Sequence, residues 1–340
     1  MPTASPFTLL AESYVHTLDP FVLRFTDTFG IRWYGIAYLC GFVAAWVLAG
    51  WMARTRRILV PPDRVGDVMT ALVIGVLVGG RLGHVIFYDQ ALLWSFEWSP
   101  PFWGVLAIHR GGMASHGGII GVIVACIWSA HRLRLPPLHL LDLAAFIAPI
   151  GLGFGRVANF INGELWGRPL PLAMTGDPPW WSMKYPEEIL LPGYPVQALE
   201  PLRHLVDPAK PFPRSLYDAA YAGRVEVVER LAPLLTPHYP SQVFQAVTDG
   251  VLLMLLLIVV WWRPRRPGVV AAWFLMGYGA LRMLTEQFRM PDVGVFTIGW
   301  LTLPMLLSLG MIVAGGALLA FAMRGEGSRV GGLAPRRAAE

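Results

Sequence analysis

Apolar residues fall along this chain in long blocks, with polar sequence gathered between them. Seven blocks are long enough to span, or nearly span, a bilayer: 33–53, 67–88, 112–130, 141–162, 243–262, 268–289 and 299–323. The pattern predicts an all-α polytopic membrane protein with about seven transmembrane helices and a periplasmic insert. Its expected parts are an N-terminal periplasmic segment and helices one to four (1–162), a periplasmic head (163–241), helices five to seven (242–323) and a disordered cytoplasmic tail (324–340).

Arginine sets the expected orientation. Arg54, Arg56, Arg57 and Arg64 follow the first block, and Arg132 and Arg134 the third. Arg263, Arg265 and Arg266 follow the fifth, and Arg324, Arg329, Arg336 and Arg337 the last. Clusters at one end of alternate helices place that end in the cytoplasm. The N-terminus is then periplasmic and the C-terminus cytoplasmic. The chain is 55% hydrophobic and 14% charged, as a polytopic membrane protein is, and its 14 tryptophans fit interfacial belts. The net charge of +5 is spread along the chain, which argues against nucleic-acid binding. Residues 1–30 lack a basic stretch followed by an apolar core, so no cleavable signal peptide is expected. Cys40 and Cys126 lie within apolar blocks and read as packing residues.

The head contains Pro-rich turns and one helical pair, LYDAAYAGRVEVVERLAPLL, that looks like a single ankyrin-type unit. One such repeat cannot bury its own apolar face. The pair is therefore expected to pack on the membrane domain.

Candidate chemistry centres on Gly155–Arg168, GRVANFINGELWGR, at the end of an apolar run. At 100° per residue a continuing helix would place Arg156, Asn159 and Gly163 on one face. Three further polar groups lie at a matching depth. Arg81 lies 14 residues past Asp67, Arg156 14 past Asp142, Arg282 14 past Gly268, and His116 14 before Ala130. Each thus sits about 21 Å above the cytoplasmic edge, inside a hydrocarbon core of about 30 Å. Intramembrane charges mark functional cavities. Snorkelling to the outer interface is the structural alternative.

Glu164 and Glu286 are expected to balance part of the positive charge, Arg282 and Glu286 as an i,i+4 pair with Tyr278 one turn below. The remaining guanidinium excess suits a phosphate, which arginine binds as a fork. In an outer-leaflet cavity the available phosphate is a phospholipid headgroup. His116 lies in HRGGMASHGGIIG, at the expected start of the third helix, where the positive helix end disfavours imidazolium and favours a neutral base. An interfacial histidine that only bonds a carbonyl is the plainer reading. Gly75, Gly79 and Gly83 put small residues on one face of the second helix and predict close packing behind Arg81. No carboxylate or histidine cluster has metal-ligand spacing, so no metal is expected.

The chain resembles the prolipoprotein diacylglyceryl transferase family from Trp33-Tyr34-Gly35 to the last apolar block. GRVANFINGELWGR is similar to that family's signature, and GGRLGHVIFY, GGMASHGG, YPSQ and GYGALRMLTEQFRMPD to its other blocks, in order. The resemblance leaves out the 170–236 insert. It implies transfer of a diacylglyceryl group from phosphatidylglycerol to the lipobox cysteine of a preprolipoprotein in the bacterial cytoplasmic (inner) membrane, without a cofactor. It also implies that His116, Arg156, Asn159, Gly163 or nearby Gly167, Glu164, Arg282, Glu286 and Tyr34 fall at important positions. Arg32, His84, Ser115, Ala158 and Gln245 depart from the usual family residues. His116, Arg156, Arg282, Glu286 and Tyr34 are thus expected to be catalytic. Arg81, Arg156, Asn159, Gly163, Glu164 and Arg282 are expected to bind phosphatidylglycerol. An outer-leaflet lipid or anion transporter and a non-catalytic phospholipid-binding scaffold are the alternatives. The absence of visible inverted repeats counts against the transporter.

Overall fold

The computed structural model describes residues 13–25, 30–107, 111–291, 297–299, 301–325 and 328–334. Among these, six helices have the length and hydropathy of a membrane crossing: Trp33–Arg54, Pro62–Phe87, His116–Leu133, Pro137–Ile161, Ser241–Val260 and Leu303–Arg324. The expected sixth block folds as the 18-residue helix Val269–Glu286, whose hydropathy is lowered by Arg282 and Glu286. The chain is an all-α multi-pass membrane protein, as the apolar blocks require. We number its helices α1 (Trp33–Arg54), α2 (Val65–Phe87), α3 (Ser115–Leu133), α4 (Pro137–Ile161), α5 (Arg214–Tyr221), α6 (Val225–Leu231), α7 (Ser241–Gln245), α8 (Leu253–Val260), α9 (Val269–Glu286) and α10 (Leu303–Arg324). The chain divides into two compact units. One comprises Met1–Leu39, Leu152–Gly250 and Leu281–Leu307; the other comprises Cys40–Gly151, Val251–Ala280 and Ser308–Glu340.

In the second unit α2 and α3 meet through glycines. A Cβ at Gly75 or Gly79 would collide with the backbone of Gly121 or Gly117, and one at Gly83 with Gly117. Between helices in lipid, van der Waals contact replaces hydrophobic burial as the driving force, and small residues allow the closest approach. The expected glycine stripe is thus met by a second stripe on α3.

Asp142 on α4 fixes another junction of this unit. Its buried carboxylate accepts the backbone N–H groups of Gly268 and Ala271, each at 2.8 Å. N–H groups at a helix start have no partner within the helix, and a carboxylate also suits the positive end of the helix dipole. The cap of α9 therefore comes from a distant helix, and Asp142 serves as more than a depth marker. The tail corrects the expectation of disorder over 328–334. Arg265 and Val330 exchange backbone hydrogen bonds at 3.1 and 2.8 Å, and Leu333 N–H donates to the Trp261 carbonyl at 2.9 Å.

The first unit contains the head. The apolar faces of α5 and α6 are buried, with Leu216, Ala219, Ala220, Val227 and Leu231 packed in one cluster. Ile189, Leu199, Leu202 and Leu205 complete that cluster from the 3₁₀ turns Pro186–Leu190 and Val196–Leu205. The helical pair thus finds its missing layer within the head, which corrects the expectation that the membrane domain covers it. Strand β1 (Tyr14–Val15) pairs in parallel with Met183–Lys184 and ties the N-terminal segment to the head. The fifth block is also less regular than its apolar run predicts. Between α7 and α8 the residues Ala246–Leu252 form a π-helical turn, a feature that often marks functional positions.

Replacing Asp142 with Ala leaves two buried N–H groups unpaired. We expect about 2 kcal/mol of lost stability, read as an earlier unfolding transition of the detergent-solubilised protein. An unchanged transition would remove Asp142 from the junction.

Candidate active site

The signature segment ends α4 in a defined way. Gly163 N–H donates to the Phe160 carbonyl at 3.1 Å and Glu164 N–H to the Asn159 carbonyl at 3.0 Å. Gly163 has φ +66°. These two bonds around a left-handed glycine form a Schellman cap. Gly163 therefore does not continue the helical face of Arg156 and Asn159, as a simple 100° projection expects. It turns the chain so that Glu164 folds back over Asn159. The Glu164 carboxylate accepts from Asn159 Nδ2 at 3.4 Å and from Asn162 Nδ2 at 3.2 Å. Asn159 Nδ2 also donates to the Tyr34 hydroxyl. Tyr34, Asn159 and Glu164 thus form one polar cluster in the first unit.

The signature loop is then held by two other motifs. Gln242 Nε2 donates to the Glu164 carbonyl at 2.5 Å and Ser241 Oγ to the Leu165 carbonyl at 2.6 Å. Arg168 N–H donates to the Phe288 carbonyl at 2.8 Å, and Met290 N–H to the Trp166 carbonyl at 3.0 Å. The YPSQ and QFRMPD blocks are therefore structural neighbours of the signature, although Asp292 of the latter lies outside the described residues. Tyr185 stacks on Trp166 with centroids 4.6 Å apart. His238 Nδ1 donates to the Gly167 carbonyl at 2.8 Å. Burial holds the His238 pKa below its ordinary value, which keeps the ring neutral at pH 7.

Both candidate phosphate-binding arginines of this unit carry a carboxylate partner. Arg282 Nη2 lies 2.9 Å from Glu286 Oε2, and both side chains are buried. This is the expected i,i+4 pair. Thr302 Oγ1 donates to Glu286 Oε1 at 3.4 Å. Arg156 has a different partner from those anticipated. Its Nε lies 3.2 Å from Oδ2 of Asp249, which is wholly buried in the π-helical turn and also within electrostatic reach of Arg282. The length and apolarity of its block do not by themselves reveal Asp249. A lone carboxylate inside an apolar run was the available signal. Thr248 Oγ1 donates to Asp249 Oδ1 at 3.3 Å.

Arg81 and His116 belong to the second unit. Arg81, an expected lipid contact, meets backbone carbonyls in this structure. Its Nε donates to the Val105 carbonyl at 2.7 Å and Nη2 to that of Gly104 at 2.6 Å. Nη1 reaches the carbonyls of Gly111 and Gly112 at 2.7 and 3.0 Å. Four of five N–H donors are thus engaged by backbone. The geometry gives Arg81 the task of holding the segment that leads into α3. Gly112 has φ +82°, and a Cβ there would collide with His84 and with Arg81 Nη1. His116 stands exposed in the first turn of α3, at the helix start that the sequence predicts.

These features define a multi-pass membrane protein in which Arg156 and Arg282 are balanced by carboxylates and Arg81 is anchored by backbone carbonyls. A family profile described as prolipoprotein diacylglyceryl transferase matches residues 20–321, and the chain belongs to that family. The phosphatidylglycerol–prolipoprotein diacylglyceryl transferase of Bdellovibrio bacteriovorus is 42% identical, over 94% of this chain and 96% of that protein. Proteins of the same name from Sodalis glossinidius and Photobacterium profundum are 38% and 32% identical, covering 86% and 91% of this chain and 90% and 95% of their own lengths.

Asp249→Asn keeps the side-chain shape but removes the charge opposite Arg156. Breaking a buried pair on one side costs about 3–5 kcal/mol, and the partial exposure of Arg156 places this pair at the lower end. Reduced stability in denaturant, together with loss of turnover, is the expected outcome. Wild-type values for both would show that Arg156 needs no counter-charge.

Proposed function

We propose that Arg156 and Arg282 hold the phosphate of the donor lipid and that His116 takes the proton of the acceptor thiol. The protein is a diacylglyceryl transferase that moves a diacylglyceryl group from phosphatidylglycerol to a prolipoprotein. The acceptor is the lipobox cysteine of a preprolipoprotein signal peptide. Its thiolate is the nucleophile. The sulfur attacks the glycerol carbon that bears the phosphate ester. A C–S bond forms, the C–O bond breaks, and glycerol phosphate leaves with the bonding pair. The product is a thioether.

Two paired arginines carry this reading best. A guanidinium has five N–H donors, and Asp249 engages that of Arg156 at Nε, so the Arg156 fork can also meet a phosphate. Asp249 and Glu286 hold the forks in place before the ligand arrives. Fixed cations then stabilise the charge that develops on the leaving phosphate. Asn159 contacts a ligand oxygen, with Tyr34 and Glu164 orienting its amide and Gly163 supplying the turn. Arg81 acts at one remove, through the segment before His116. Transport or passive lipid binding finds no support in the relatives, whose names are those of transferases. The Arg clusters support an inner-membrane orientation with a periplasmic N-terminus and a cytoplasmic C-terminus.

Purified protein, phosphatidylglycerol and a lipobox peptide test the chemistry directly, because only the transferase makes a thioether. A thiol with a pKa of about 8.5 is mostly protonated at neutral pH. General-base assistance is worth about 10²–10⁴-fold. His116→Gln should retain lipid binding while thioether formation falls by about that factor. Raising the pH should restore part of the rate, since more thiolate forms without a base. A wild-type rate, or no recovery at high pH, would exclude His116 as the base.

Orientation is tested separately. A reporter active only in the periplasm should function when inserted within 170–236 and fail when fused after Met323. The opposite pattern would reverse the assignment.

A further inference from the structure

His16 precedes the residues matched by the family profile and is fully buried against the end of α4. Its Nε2 lies 2.8 Å from the Phe160 carbonyl oxygen, and its Nδ1 lies 3.2 Å from the Tyr221 hydroxyl. A carbonyl can only accept, so Nε2 carries the proton and donates. The Nδ1 of that neutral tautomer accepts from the Tyr221 O–H. The result is a directed chain from Tyr221 through His16 to Phe160. It ends on the same carbonyl that accepts the Gly163 N–H of the Schellman cap, so it bears on the turn that places Asn159 and Glu164.

Tyr221 and His16 are both anchored in the head. Tyr221 is the last residue of α5, whose Leu216, Ala219 and Ala220 sit in the head core. His16 N–H donates to the Lys184 carbonyl at 2.8 Å, just after the paired strands. The imidazole lies among the rings of Tyr14, Phe160, Tyr185 and Tyr221, with centroids 5.8–6.5 Å away. Gly163 leaves room for it, because a Cβ there would approach His16 Cε1 to 3.0 Å. Desolvation holds the His16 pKa below its ordinary value and so favours the neutral tautomer.

We infer that Tyr221 and His16 form a positioning relay through which the head fixes the Asn159–Glu164 turn for catalysis. Neither residue touches reacting atoms. The inference rests on the assignment of Asn159 and Glu164 to the donor-lipid site. It gives the head a task that its sequence, free of reactive clusters, does not reveal.

The test compares four variants of the full chain in the peptide-lipidation assay at saturating phosphatidylglycerol, below each variant's melting temperature. Tyr221→Phe removes the hydroxyl alone, and kcat should fall about threefold. His16→Leu removes both hydrogen bonds, and kcat should fall about tenfold. His16→Gln keeps an N–H donor near the Phe160 carbonyl and should recover most of that loss. Because Tyr221 acts through His16, adding Tyr221→Phe to His16→Leu should lower kcat no further. A wild-type kcat for Tyr221→Phe would overturn the relay, and this variant is mild enough to fold. So would additive losses in the double variant, or a His16→Gln protein as slow as His16→Leu. Lowered melting temperatures with unchanged kcat would reduce the contacts to a structural tie. Absence of thioether formation by the wild-type chain would instead overturn the functional assignment.

Discussion

A guanidinium inside a membrane protein must have a partner. Transferring a lone charge out of water is expensive, and the cost falls only when an opposite charge and hydrogen bonds surround it. Arg156 meets this constraint through Asp249, and Arg282 meets it through Glu286 on its own helix. The two solutions differ in what they demand of the fold. An i,i+4 pair needs only one regular helix. The Arg156–Asp249 pair needs α4 and the π-helical turn held together, and the glycines at 153 and 250 meet there, where a Cβ on Gly153 would come within 3.2 Å of the Gly250 Cα. The irregular turn in an otherwise apolar span is where the second carboxylate sits.

The same rule separates the arginines by task. Arg81 is satisfied by backbone carbonyls and so organises the chain around it. Arg156 and Arg282 are balanced by carboxylates instead. Depth in the membrane does not distinguish these cases. Only the identity of the acceptors does, and a backbone carbonyl leaves no mark in a residue pattern.

Glycines act in two further ways around these charges. On α2 and α3 they remove side chains so that backbones can touch. At Gly163 and Gly112 they supply left-handed backbone, which turns Glu164 over Asn159 in one case and points carbonyls at Arg81 in the other. A side chain at Gly163 would oppose both the dihedral and the packing of His16, so one position carries two constraints.

Several features were readable from residues alone because they depend on local sequence. The apolar blocks set helix number and class, since each crossing needs a continuous run of about 20 residues. The Arg282–Glu286 pair followed from helical spacing, and His116 falls in the first turn of α3, as its place in the sequence predicts. The family was legible in the signature and its companion blocks. Tertiary structure alone decided the rest. It chose Asp249 as the partner of Arg156 across 93 positions of sequence, set Asp142 on the start of α9, and covered α5 and α6 with the head's own turns. It also brought His16 to the end of α4 across 144 positions of sequence and Tyr221 to His16 across 205. Those pairings depend on which backbone groups a distant segment leaves unsatisfied, and a linear pattern does not record that quantity.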